Sequence, residues 1–371
     1  MLHQADPYSP EPQFSPGALM SLALLLAGLT TTAANAQSEE GSKPAKLFST
    51  ETTLEVTLTA PWNDIVKDKK NQNPYPAKLE YRDESGQTVT LDLSVARRGI
   101  KRQEVCRFPP IRLIFEKETV AGTAFRGQKK LKLVTHCENA TKYDQYYVLE
   151  MLAYQMYNLL TDYSFRVRPL QVTYMDSEKG KEVDTRFAFL IESHGDMAKR
   201  NDLNKIDVPK ISHKRLDPKP AALFSLYMYM IGNVDWSALI GHDPDECCHN
   251  VKLIGPEPLG DKDFVIPVAY DFDSAGLVDA EYAAPPDGLP IRKVTQRLYR
   301  GYCVHNVEME AARQKILEQE SAILALVEND NRLTDKSKKE ALKFMGEYFE
   351  IAKDPGDFQK EVLDECRGKK K

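Results

Sequence analysis

The chain has 371 residues, 42% of them hydrophobic, and a formal net charge of -5. This length suits one large domain or two ordinary ones. The only basic run of note is the terminal GKKK, so the charge pattern of a nucleic-acid binder is excluded.

Residues 1–36 read as an export signal. An apolar run from Leu19 to Leu29 is followed by Ala34-Asn35-Ala36, a small-residue cleavage site, although no Lys or Arg precedes the run. Residues 37–47 read as a flexible lead-in. No later apolar stretch approaches the roughly 20 residues a membrane span needs. The expectation is therefore an exported chain, periplasmic, envelope-bound or secreted, with no membrane span once the signal is removed. Six cysteines follow, Cys106, Cys137, Cys247, Cys248, Cys303 and Cys366. An even count in an exported chain favours disulfides, with the pairing left open. Adjacent Cys247 and Cys248 do not match zinc spacing, which leaves residues between the ligands.

From 52 to 134 the chain reads as strands. TLEVTLTA alternates, with Leu54, Val56 and Leu58 on one face. AKLEYRDESGQTVTLDLSVARRG reads as a hairpin closed at Asp83–Gly86. PPIRLIFEK and KKLKLVTHC are further strands. Between 143 and 161 the period changes to helical, with Val148, Leu152, Met156 and Leu159 on one stripe. Tyr146, Tyr157 and Leu160 widen its apolar surface, which predicts a helix sandwiched between layers. FRVRPLQVTYM and TRFAFLIES return to strand. A helix over KPAALFSLYMYMIGNVDWS ends near Gly232, short strands lie at VKLIG and FVIPVAY, and 306–366 is helical. The fold expected is α+β and two-lobed. A β-rich lobe over 48–193 with one helix precedes a helix-rich lobe over 194–371.

Four elements then come in a chemically suggestive order. A strand carries Lys130 and Lys132. The helix carries one acid, Glu150, among apolar residues. GNVDWS holds Asp235, with Asn250 after a loop. VIPVAYDFDSAG ends a strand in Asp271-Phe272-Asp273. Phosphoryl transfer from a nucleotide needs such parts: a Lys on phosphate oxygens, an acid holding that Lys, an Asp for the acceptor hydroxyl, and hard oxygen ligands for Mg²⁺.

These motifs, with LTAPWNDIV, PAKLEY, VARRG, IRLIF, KKLKLV, VLEMLAYQMYNLL and FAFLIES ahead of them, resemble the CotH spore-coat kinase family over about residues 48 to 305. The resemblance implies a two-lobed protein-kinase-like fold and transfer of phosphate from ATP to a protein, with Mg²⁺ or Mn²⁺. The partners it implies are a nucleotide and a protein substrate of unknown identity. It implies Lys132, or Lys130, as the phosphate-binding lysine, with Glu150 as its partner. Asp235 becomes the catalytic acid–base, and Asn250 and Asp271 the metal ligands assisted by Asp273. Arg98 falls near the phosphates, and Glu192 of FAFLIES joins Lys130 and Arg98 on the cofactor side.

The sequence also departs from that pattern. It has no G-x-G-x-x-G loop and no H-R-D. Conventional kinases separate the catalytic Asp from the metal Asn by about five residues. Asp245 has that spacing, whereas Asp235 stands fifteen residues before Asn250. Asp235 is preferred because it directly follows a helix. Asp271-x-Asp273 also resembles the start of a calcium loop, but Tyr282 occupies the place that requires a bidentate Glu. The other open reading is a non-catalytic envelope protein that binds a ligand or partner.

Overall fold

The computed structural model describes residues 43–368 except 70–71, 100–101, 103–104 and 242–246. The expected export signal, the first part of the expected lead-in, and Asp245 lie outside the described residues.

Seven strands build the first part of the fold. They are β1 (Leu54–Ala60), β2 (Tyr75–Arg82), β3 (Thr88–Arg97), β4 (Ile111–Ile114), β5 (Lys130–Val134), β6 (Val167–Asp176) and β7 (Lys181–Ile191). The order around the sheet is β1-β2-β3-β4-β5-β7-β6. β6 then returns to pair in parallel with β1, in the register Leu54↔Leu170 to Ala60↔Asp176, and this closes a barrel. The alternation read in the sequence now has its cause. Val56, Leu58, Leu79, Leu91, Leu131 and Leu190 point inward and form the barrel's own core. One end is plugged by α1 (Trp62–Lys67), where Trp62 packs against Phe108 and Tyr174 at 5.4 and 5.2 Å between ring centres. The buried Arg97 donates to Ile65 O at 2.7 Å beside it.

Outside the barrel lies α2 (Asp144–Leu160), buried on nearly every side. Its residues share one core with Phe187, Phe189 and Ile191 on the outer face of β7, and with α4 (Pro218–Met230) beyond. Tyr157 and Tyr227 pack at 4.5 Å, and Tyr227 Oη donates to Ala153 O. The short α3 (His194–Arg200) and a small antiparallel sheet follow, in the order β10 (Ile266–Ala269), β9 (Val251–Gly255), β8 (Asn204–Lys205). The chain ends in α5 (Met309–Glu318), α6 (Glu320–Glu328), α7 (Asp335–Lys353) and α8 (Pro355–Phe358). The described residues belong to one compact unit.

The α+β class holds, but the two-lobed protein-kinase-like arrangement does not. The strands close on themselves into a seven-stranded barrel instead of forming the β-rich lobe of a kinase, while α2 is sandwiched, as expected, between the barrel's outer face and α4. Closure depends on the pairing of β1 with β6, more than a hundred residues later in the chain, and alternation within each strand carries no information about that pairing.

Three disulfides are formed, Cys106–Cys137, Cys247–Cys248 and Cys303–Cys366. No helix among the described residues is long and apolar enough to cross a membrane.

Candidate functional site

β9 and β10 explain why Asn250 and Asp271 meet. They pair antiparallel with Val251 opposite Ala269, so the residue entering β9 and the residues leaving β10 emerge at the same end. The GNVD stretch is brought to the same place by α4. That helix ends in a Schellman turn, with Asn233 N donating to Met228 O and Gly232 N to Tyr229 O. Gly232 sits at φ +66°, a left-handed conformation that glycine adopts without steric cost. Gly276 N then bonds Gly232 O at 3.1 Å and Leu277 N bonds Ile231 O at 3.0 Å, joining the two motifs along their backbones. A Cβ at Gly276 would stand 2.6 Å from Val294 O, so only glycine permits this approach.

Within DFD, Phe272 is the anchor. It is fully buried and packs 4.5 Å from Tyr154, while the acids on either side remain partly open. Asp271 has φ +61° and Asn250 φ +50°. Left-handed backbone at non-glycine residues is uncommon and tends to collect at functional sites. Asp271 N donates to Tyr154 Oη at 3.0 Å, and Asn233 Nδ2 donates to Asp271 O at 3.2 Å. Asp235 is gripped from two sides. Its Oδ1 lies 2.7 Å from His249 Nε2, and Asn250 Nδ2 donates to its carbonyl at 2.7 Å and to its Oδ2 at 3.3 Å.

Lys132 projects from the outer face of β5, because its neighbours Leu131 and Leu133 point into the barrel. Its Nζ lies 4.2 Å from the centre of the Tyr270 ring and donates to the Tyr270 hydroxyl. Burial lowers its pKa to about 8, as do Arg98 and Arg112, while Asp271 pulls it upward. Lys132 helps line a cavity of about 180 Å³. Arg112, Lys130 and Lys252 supply further positive charge there, above the apolar surfaces of Phe165, Ile191 and Tyr270. Lys130 is exposed at its edge. Arg98 continues from β3, with its Nε 3.3 Å from Ile111 O.

Glu150, one turn of α2 before Tyr154, is 2% exposed. It pairs with Arg102, whose NH1 is 3.7 Å away, so the lysine–glutamate pair implied by the family resemblance is replaced by Lys132–Tyr270 and Arg102–Glu150. Its Oε2 has no hydrogen-bond partner among the described residues. Burial raises its pKa well above the ordinary carboxyl range; Arg102 opposes this, and Asp273 and Asp271 add to it. Asp273 is pushed up to about 6, first by burial and then by Asp271, with Arg102 pulling it down and Asp235 pushing it up more weakly. Glu192 borders the same cavity as Lys132, and its carboxylate is held by an arginine. Arg200 grips both its oxygens at 3.2 and 3.1 Å, and Arg166 N donates to it at 3.0 Å, which ties α3 to β7.

No protein-family model matches the chain, and no curated protein matches it.

Residues from five separate stretches therefore meet: Arg98, Lys132, Asp235, Asn250 and the Asp271–Asp273 pair, with Glu150 behind them. Arg102 and His249 were missed in the sequence. Nothing around Arg102 marks it. His249 had one signal, its place next to Asn250, but its bond to Asp235 spans a loop whose path the sequence does not show.

A divalent cation can be weighed against these donors. Among the described residues, no group of three or more His, Cys, Asp or Glu is arranged to hold a metal ion. Asp271 and Asp273, with Asn250 at the same end of the β9–β10 pair, offer a smaller set of hard oxygens, and the pKa of Asp273 is raised first by burial and then by the charge of Asp271. That set fits Mg²⁺, which keeps waters and phosphate oxygens in its shell rather than a full protein cage.

Proposed function

We propose that the chain is an exported phosphotransferase, moving a phosphoryl group from a nucleotide to a protein hydroxyl with Mg²⁺ or Mn²⁺. The observation that carries this is the meeting of Lys132 and Arg98 with Asp235, Asn250, Asp271 and Asp273. The likeness of the same motifs to the CotH family supports the activity, and the three disulfides suit an oxidising compartment.

Each residue then has a task. Lys132 and Arg98, with Arg112 and Lys252 nearby, neutralise the donor's phosphate oxygens. Asp235, oriented by His249 and Asn250, accepts the proton of the acceptor hydroxyl. That oxygen bonds to the terminal phosphorus as the bond to the departing nucleoside diphosphate breaks. Asp271, Asp273 and Asn250 would hold the cation, which supplies positive charge across the donor phosphates. Arg102 and Glu150 position the floor beneath these acids.

A second reading is binding of an anionic ligand without transfer. The pairing of Glu150 with Arg102, rather than with Lys132, favours it.

A thermal-shift titration with ATP and Mg²⁺ or Mn²⁺ tests the nucleotide site, on chain produced under oxidising conditions. Ligand at a hundredfold excess over Kd adds about 2.7 kcal/mol to the folded state. A metal-dependent rise in Tm that is lost in Asp271→Ala is expected. No rise in the unmutated chain at millimolar ATP sinks the nucleotide reading.

A further inference from the structure

Two arginines from distant stretches meet on Trp236, the residue after Asp235. Arg300 Cζ lies 5.5 Å from the indole ring centre and Arg367 Cζ 5.4 Å. Arg367 also covers Tyr302 at 4.3 Å. The platform is fixed: Trp236 is 3% exposed, its Nε1 donates to Asn233 O at 3.1 Å, and Phe224 packs edge-on at 4.9 Å. The chain end is folded back to bring Arg367 there. Cys366 is bonded to Cys303, Arg367 N donates to Gly301 O at 2.8 Å, and Cys303 N donates to Arg367 O at 2.9 Å.

This juxtaposition is costly without an anion. Burial lowers the pKa of Arg300 and the nearby Arg367 lowers it further, while Tyr302 and Asp235 pull the other way. Among the described residues no carboxylate forms an ion pair with either guanidinium. Arg300 spends one donor on Val234 O. Nε and one terminal nitrogen of Arg367 have no hydrogen-bond partner among the described residues. A guanidinium offers five donors in a planar fork matched to a carboxylate, and stacking on an aromatic face keeps the fork oriented.

We propose that Arg300 and Arg367 form a recognition subsite for a carboxylate of the acceptor, an Asp or Glu side chain near the hydroxyl that Asp235 receives. The identity of the acceptor rests on the phosphotransferase reading, whereas the anion subsite does not. Selectivity follows from both signs of charge. On the acceptor side Asp235 and Asp271 disfavour an acid except where the two arginines receive it, while the basic residues around Lys132 face the donor phosphates.

The test uses three fluorescein-labelled heptapeptides with a central Ser, flanked by Glu, Gln or Lys. Binding is read by anisotropy at low salt, and the Tm shift with ATP and Mg²⁺ is measured in parallel. The Glu peptide is expected to bind about tenfold more tightly than the Gln peptide, as charge-assisted forks do, and to weaken as salt rises. Arg300→Gln and Arg367→Gln are each expected to remove most of that preference and leave the nucleotide shift unchanged. Arg300→Lys and Arg367→Lys keep charge and stem, and serve if the Gln variants lower Tm; they should retain part of the preference. Equal affinity for the three peptides overturns the subsite, as does a Glu preference that survives in the folded double variant. An arginine-dependent Glu preference without any nucleotide shift leaves the subsite standing and removes the phosphotransferase reading. A nucleotide shift without Glu preference does the reverse.

Discussion

Lys132→Met separates the role of this lysine from its energetic burden. The amine is held beside Arg98 and Arg112 in a partly closed cavity, and its pKa falls from 10.5 to about 8. Taken whole, that fall corresponds to about 3 kcal/mol against the folded state. The amine keeps some contact with solvent, so about half, roughly 1.5 kcal/mol, is a fairer figure. The sign follows from proton binding. Below about pH 8 the amine is charged in both states and the cost is fully present. Above 10.5 it is neutral in both and the cost is gone. In between, the unfolded chain binds more protons than the folded one, so stability rises with pH. Met keeps the stem's packing and removes the charge, but it also loses the bond to the Tyr270 hydroxyl, about 1 kcal/mol. The variant is therefore expected to exceed the unmutated chain by about 0.5 kcal/mol at pH 7, and its advantage to fall by about 1.5 kcal/mol towards pH 10. It should also lose its Tm response to ATP. Urea midpoints at pH 7, 8, 9 and 10, with disulfides intact, measure this. A variant less stable at every pH, by a gap that does not change, would refute the burial argument.

Four further outcomes are expected. Gly276→Ala places a Cβ 2.6 Å from Val294 O and 2.8 Å from Phe344 Cζ, so Tm should reveal a loss of about 2 kcal/mol; Gly346→Ala in α7, with no atom within 4 Å of its added Cβ, should gain about 0.5 kcal/mol or more. Replacing both Cys303 and Cys366 by Ser frees a 63-residue loop. Loop entropy sets that loss at about 4 kcal/mol by chemical denaturation, and a loss near zero would mean that the chain end adds little to the fold. His249→Gln removes the ring from Asp235, and phosphate transfer should fall about tenfold or more in kcat, with a displaced pH profile and unchanged KM for ATP. A fall in ATP affinity instead would assign His249 to the donor side.

The existence of the elements was legible because burial of one face writes a period into the chain. The alternation of TLEVTLTA is β1, and its inward Val56 and Leu58 line the barrel. The wide apolar surface of 143–161 is α2, which has barrel on one flank and α4 on the other. Part of the site was legible for the same local reason. A buried run ending in Asp-Phe-Asp is what an anchored Phe272 between two open acids looks like in sequence.

Three things were decided only in the folded chain. The barrel closes through the Leu54↔Leu170 register, which replaces the expected kinase-like β-rich lobe. Glu150 takes Arg102 rather than Lys132. Glu192 is consumed by Arg200. The sequence by itself therefore determined the long strands and the long helices, because periodicity acts over a few residues, while the short helices α1 and α3 left no such period. Sheet closure and the choice among competing ion-pair partners depend on how segments far apart in the chain align, and only the tertiary structure decides that.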